Sequence, residues 1–397
     1  MRRFLVGLLA IAAAVSVIAV GLVNVGALGP SASPGLVGAA SPSASGPGAG
    51  ATPSSTPTAT PASLPPRRPF VPPPERPVLV PAPLTGVLVS PAAAARHPIA
   101  VMVDDLSPAR PQSGFSSASV VWHAPAEGGI PRYMMIFAEN VPKAVGPIRS
   151  SRQYYIAWAS EWKALYAHVG GSPQAMATLR EQGNGQLVYN ADQFRWGGRY
   201  MWRIHERFAP HNVYSDGNHL RQLAKRLGAE DGPMESAWRF GPQLPLGLRP
   251  RGGTIDVGYA ANHIRYRYDW RSNTYLRSVT GEKNQVDAGT GIRVAPRNVI
   301  VMLMRFGPLN DGHPNKHRLE AQYVGRGTAW ISTNGRTIKG TWKKGRIDAP
   351  TRFYDAQGQQ VVLAPGQTFV QVLQSGSTVK ITKGVVVRVP ARSSRLL

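Results

Sequence analysis

Pro98-Ile-Ala-Val-Met-Val-Asp-Asp105 decides how the folded part of this chain reads. It is a short apolar run that ends in two acids. Such a run is long enough for a buried strand and too short for a core helix, and it places carboxylates at the strand's carboxyl end. Downstream, Ala118–Trp122, Tyr133–Phe137 and Ala164–His168 repeat the pattern. Between and after them come helical signals. Tyr154, Tyr155, Trp158 and Trp162 recur at three- to four-residue spacing within Ser151–Trp162. Ser172-Pro173 is a cap followed by a first-turn proline, opening a helix over Gln174–Glu181. Leu220–Leu227, capped by Ser215 or Asp216, is closed by Gly228. Strands alternating with helices predict an α/β domain over residues 86–235.

Residues 236–397 read differently. His263–Trp270 alternates apolar and polar side chains, as a half-buried strand does. Asn298–Phe306, Phe369–Leu373 and Thr378–Val389 are further strands, and Asn334-Gly335 between Thr328–Thr333 and Arg336–Lys343 is a type I′ hairpin signal. A mainly antiparallel β domain, a sandwich or barrel-like sheet, is expected. The fold class is therefore α+β overall.

Upstream of both domains, Arg2 and Arg3 precede an uncharged apolar run from Phe4 to Val23. Twenty residues at about 1.5 Å each span about 30 Å, the thickness of a bilayer's hydrocarbon. Residues 1–28 are expected to form a single membrane helix, the alternative being a cleaved signal peptide, and the flanking arginines place the remainder outside. Sixteen of the 36 prolines lie between Pro30 and Pro83. With few large apolar side chains, residues 29–85 cannot repay their ordering entropy and are expected to be a disordered linker.

The chain has 397 residues and no cysteine, which excludes disulfides, thiolate metal sites, cysteine nucleophiles and a lipidated N-terminal cysteine. The net charge of +24 is concentrated at the C-terminal end: residues 236–397 carry 25 basic and 8 acidic side chains. Arg265, Tyr266, Arg267, Tyr268 and Trp270 interleave cations with aromatic rings there, a pattern suited to nucleic acid. An exterior location argues against nucleic acid as a partner and favours anionic wall polymer or lipid headgroups, while a solvated basic face explains the composition equally well.

The first domain holds the groups that could carry chemistry. Asp104, Asp105 and Glu127 lie near strand ends, where carboxylates either line a crevice or cap turns. Asp105, Glu127 and His168 form the candidate acid/base set. Arg149 and Arg152, three apart at an expected helix start, would share a face and bind an anion bidentately, together with the Gly170–Pro173 turn. The other reading is that they neutralise Asp104, Asp105 or Glu127. Asp104, Arg110, Arg132, Arg149, Arg152, Ser172, His211 and Asn212 make up the candidate ligand-binding set, with Ser172 also an ordinary helix cap. His123, His168, His205 and His211 lack a compact metal-binding spacing, so neither a metal nor a cofactor is expected.

Several motifs together resemble the YerB-like lipoprotein family, bacterial envelope proteins of unknown function. They are Ile99–Asp105, Ala109–Gly114, Glu127–Gly129, Arg132-Tyr-Met134, Gly146–Arg152, His168–Gln174 and Pro210–Tyr214, then Tyr266–Asp269, Asn298–Val301, Gly340–Lys343 and Pro365–Thr368. The resemblance implies a two-domain extracytoplasmic protein and supplies no activity. Two features depart from it. The lipid-bearing cysteine is missing, which the long N-terminal helix would replace, and a His-x-Asp of many relatives stands here as Gln285-Val286-Asp287. The expectation is a membrane-anchored extracytoplasmic protein that binds an anionic envelope ligand. The alternatives are an envelope glycan or phosphodiester hydrolase or transferase, and capture of extracellular nucleic acid by the basic domain.

Overall fold

Ten strands drawn from both halves of the chain line up in one sheet. In chain order they are β1 (Ile99–Asp104), β2 (Val120–Pro125), β3 (Pro131–Phe137), β4 (Leu165–His168) and β5 (Tyr189–Asp192). A second group follows: β6 (Thr254–Gly258), β7 (His263–Asp269) and β8 (Thr274–Val279), which pair elsewhere. Then come β9 (Asn298–Met304), β10 (Phe306–Pro308), β11 (Leu319–Ala321), β12 (Gly325–Thr333), β13 (Arg336–Lys344), β14 (Arg352–Tyr354), β15 (Thr368–Gln374) and β16 (Val379–Thr382). The large sheet runs β14-β13-β12-β9-β15-β2-β3-β1-β4-β5, and a four-stranded antiparallel sheet runs β8-β7-β6-β16. This computed structural model describes residues 77–386, all within one compact unit.

The sheet corrects the expectation of a separate antiparallel C-terminal sheet. β15 lies parallel to β9 on one side and parallel to β2 on the other, with Gln371 opposite His123. The reason is burial: β1, β2 and β3 are apolar on both faces, so every edge must be covered, and the late strand β15 covers the edge of β2. All α-helices among the described residues precede residue 227.

One face of the sheet packs against α1 (Gln153–Ala159), where Trp122 and Trp158 stack with ring centroids 4.5 Å apart. The opposite face packs against the four-stranded sheet through Tyr266, Tyr268 and Tyr275, and against Leu220 and Leu223 of the third long helix. α2 (Pro173–Glu181) starts as expected, with the Ser172 hydroxyl accepting from the Ala175 amide. In α3 (Gly217–Arg226), Asp216 does the same for His219. Asn334 and Gly335, both at positive φ, make the tight turn of the β12–β13 hairpin.

The chain joins the fold earlier than the expected start at residue 86. Val80–Pro81 pairs with Leu88–Val89, Ala82 and Leu84 are buried, and the Thr85 hydroxyl donates to Glu139. The expected membrane helix and the linker as far as Arg76 lie outside the described residues. Among the described residues no helix is long and apolar enough to cross a membrane.

Candidate functional site

The carboxyl ends of β1, β2 and β4 and the start of β3 meet at one end of the sheet, with Asp104 opposite Arg132. Side chains alternate along a strand, so the neighbouring acids Asp104 and Asp105 part to opposite faces. Each gathers its own cluster.

On the α1 side, Asp104 accepts from Arg149 Nε at 2.9 Å and meets His211 Nδ1 at 2.7 Å. Glu127, in the turn between β2 and β3, accepts from Arg132 Nη2 at 2.7 Å and pairs with Arg152. Arg132 also donates to the Ser150 carbonyl at 2.9 Å. Three guanidiniums therefore face two carboxylates. Burial, the largest influence on each, lowers the pKa of Arg132, Arg149 and Arg152, and Asp104 opposes it for Arg132 and Arg149. The cluster opens to solvent at Glu127 (27% exposed side chain) and Arg149 (22%), while Arg152 (4%) is closed in, with its Nε buried and unpartnered. The C-terminal half borders this opening. The β10–β11 hairpin places the His317 carbonyl 2.9 Å from the Gly128 amide, and Phe306 meets Tyr154 edge-on at 5.6 Å.

On the other side, Asp105 is fully buried. It accepts from Arg110 Nε at 3.1 Å, Gln112 at 3.2 Å, His123 Nε2 at 2.9 Å and Asn262 at 2.6 Å. The Gln371 side-chain amide lies 2.9 Å from His123 Nδ1 and 2.8 Å from the Tyr266 hydroxyl. Arg277, also fully buried, donates to Tyr266 at 3.0 Å and to Gln285, and sits 5.4 Å from the centroid of Tyr133. Burial opposes the charge on Asp105, but the His123 hydrogen bond, Arg110 and Arg277 outweigh it and hold the carboxyl below its ordinary pKa. Burial pushes His123 down, against the pull of Asp105. This network draws on both halves of the chain and is closed to solvent, so it serves to join them.

The structure does not bring the candidate acid/base set together. Asp105 pairs with His123, Glu127 with Arg132 and Arg152, and His168 with Asn190 at 2.8 Å on the α1 side of the sheet. Nor do Arg149 and Arg152 share a helix face. The helix begins only at Gln153, Arg149 lies in an extended segment whose amide donates to the Met102 carbonyl, and the two guanidiniums reach different acids. Of the two readings of these arginines, neutralisation describes the contacts, and Arg110 pairs likewise with Asp105. The Gly170–Pro173 turn does adjoin them, since Gly171 bridges to Ser151, but the Gly170 amide donates to Asp192. Asn212, next to His211, accepts from Arg203 at 2.7 Å and makes no hydrogen bond to either cluster among the described residues. His205 is exposed, and among the described residues no three His, Asp or Glu side chains converge as metal ligands.

Sequence reasoning missed Gln371, Arg277, Asn262 and Tyr133 as partners. They come from segments far apart in the chain, and only the odd placement of an arginine inside an alternating strand hints at Arg277. The interleaved basic and aromatic residues of β7 also separate. Tyr266 and Tyr268 point into the core, while Arg265, on the outer face, pairs with Asp256 at 2.6 Å. Gln285 accepts from Arg277, and Asp287 accepts from the Gly114, Ser116 and Gly289 amides.

Comparison with known proteins fits this architecture. Residues 84–230 match the N-terminal domain, and residues 255–370 the C-terminal domain, of a protein family of unknown function, DUF3048. "Putative lipoprotein YerB" of Bacillus subtilis (strain 168) is 30% identical over 312 residues, covering 76% of this chain and 89% of the relative. The crystal structure of the YerB protein from Bacillus subtilis superposes with a TM-score of 0.68 at 26% identity, covering 76% of this chain and 99% of that one. With both domains matched in order and a curated relative covering most of its length, the chain belongs to the DUF3048 family.

Proposed function

We propose that this is an envelope protein, held at the membrane by its N-terminal apolar run, that binds an anionic group at the Glu127–Arg149 opening. The relative's designation as a lipoprotein supports the placement, because an uncharged apolar run of twenty residues is long enough to supply the tether that a lipidated cysteine would supply. One observation carries the binding reading. Arg149 engages Asp104 through Nε alone, and its two terminal nitrogens have no partner among the described residues, at the mouth of a cluster with one cation in excess. A guanidinium with its fork unused is suited to a phosphate or carboxylate. The acid/base groups a hydrolase would need are divided among three places, so binding is the reading the geometry supports.

The test is calorimetric titration of the full chain, in detergent, with inorganic phosphate and with glycerol phosphate. Arg149→Ala is expected to weaken binding about tenfold, the loss of one charge-assisted hydrogen-bonding pair. Equal affinity of the two proteins would overturn the assignment.

A further inference from the structure

The outer end of the ten-stranded sheet carries a surface that the strand-end site does not use. β12, β13 and β14 contain no acidic residue. Their inner face is core, with Ala329, Ile331, Trp342 and Phe353 buried. On the outer face, cross-strand register sets Arg326 beside Lys343 and Lys343 beside Arg352. Neighbouring strands lie about 4.8 Å apart, so these three cations form a row about 10 Å long. Lys339, four residues along the same strand from Lys343, adds a fourth about 13 Å away. All four are exposed, and none forms an ion pair among the described residues, unlike Arg346, Arg318 and Lys344 nearby. Two aromatic rings sit between the cations. Lys339 lies over Trp330 at 5.8 Å and Lys343 over Tyr354 at 4.7 Å from the ring centroids.

A face with unpaired cations on adjacent strands that carry no carboxylate of their own matches a linear polyanion whose charges recur along its backbone. Trp330 and Tyr354 are half-buried, each with an ammonium over its ring. That leaves little ring face for nucleobases to stack on, and nothing that protrudes to enter a bilayer. We infer that the outer face of β12–β14 is a docking surface for an anionic wall polymer of the poly(glycerol phosphate) kind, held by backbone charge. The choice of a wall polymer as the source of that charge rests on the envelope placement proposed above.

The experiment is retention of the full chain, in detergent, on immobilised poly(glycerol phosphate), with neutral dextran, duplex DNA and anionic vesicles as the other arms. Binding is expected at low salt, falling steeply as salt rises, with none to dextran. Lys339→Glu with Lys343→Glu is expected to weaken retention at least about tenfold, and the milder Lys339→Gln with Lys343→Gln by an intermediate factor at an unchanged melting temperature. Arg149→Ala, at the other site, is expected to lower polymer retention by a smaller factor than the charge reversal, because the opening takes one phosphate and the face takes a run of them. Unchanged retention by the charge-reversed protein, or a loss on Arg149→Ala as large as that on Lys339→Glu with Lys343→Glu, overturns the assignment to this face. Tighter binding to DNA or vesicles than to the polymer, or recovery of the chain from the cytosolic fraction, overturns the choice of partner.

Discussion

Removing Glu127 separates a binding site from a purely structural cluster, because the two give opposite responses to phosphate. Glu127 holds Arg132 at 2.7 Å and also Arg152, whose Nε is already buried without a partner. Glu127→Ala deletes two charge-assisted contacts and leaves two closely buried guanidiniums uncompensated. A fully buried pair broken this way costs about 3–5 kcal/mol, and the partial exposure of Glu127 screens the loss toward about 2–3 kcal/mol. If the cluster accepts anions, phosphate can take the place of the carboxylate. At 100 times its dissociation constant a ligand stabilises the native state by about 2.7 kcal/mol, enough to restore most of what the substitution removed. The assay is urea denaturation of the full chain followed by tryptophan fluorescence, with phosphate varied against chloride at fixed ionic strength. The variant is expected to gain far more stability from phosphate than the parent protein, whose own carboxylate competes for the same guanidiniums. If phosphate stabilises neither protein, the arginines serve only the fold and the binding reading fails.

Three further outcomes follow from the contacts. Lys344 and Glu161 form a fully buried pair between the two halves, with Thr351 also donating to Glu161. Either Lys344→Met or Glu161→Gln is expected to cost about 3–5 kcal/mol and the double substitution no more than one of them; additive costs in denaturation would remove the coupling. Asp105, with its pKa held below the ordinary value, contributes stability that is complete above about pH 4 and is lost as pH falls further. Asp105→Asn should therefore be less stable at neutral pH but flatter in its acid dependence, and parallel pH curves for the two proteins would contradict this. A Cβ at Gly340 would sit 1.9 Å from the Tyr354 carbonyl oxygen, so Gly340→Ala should push β14 off β13 at about 1–3 kcal/mol. Hydrogen exchange should then speed up at the β13–β14 ladder, and unchanged protection would show that the edge absorbs the methyl.

The local grammar of the chain was readable because it depends on near neighbours. The apolar run before Asp104, the Ser172-Pro173 helix start, the Asp216 cap and the Asn334-Gly335 turn are each decided within a few residues, and each stands where its pattern places it. Pairing between distant strands was not readable. Nothing in Thr368–Gln374 says that it will lie between β9 and β2, because an all-buried strand looks the same whichever neighbours cover it. The site suffered for the same reason. The three-residue spacing of Arg149 and Arg152 presumes a helix, and the helix starts at Gln153, after both of them. Asp105 and His168 both end apolar strands and so look like partners in the sequence, whereas alternation turns them to opposite faces and gives Asp105 to His123.

The position of β15 also constrains how the strand-end site can work. Without that strand, β2 would present an edge with the backbone groups of Val120–His123 unpaired, so the first half of the chain depends on the second to complete the strand that leads into Glu127. The dependence is reinforced at both ends of the junction. His123 and Gln371 share a buried amide contact, and Glu161 and Lys344 share a buried charge. The β10–β11 hairpin then brings the His317 carbonyl to the Gly128 amide in the turn that carries Glu127. A ligand that moves Glu127 must therefore work against groups supplied by both halves, so its binding free energy acts on the junction as well as on the opening. The partition into two family domains describes the sequence, while the β2–β15 ladder makes the pair the unit that holds the site in shape.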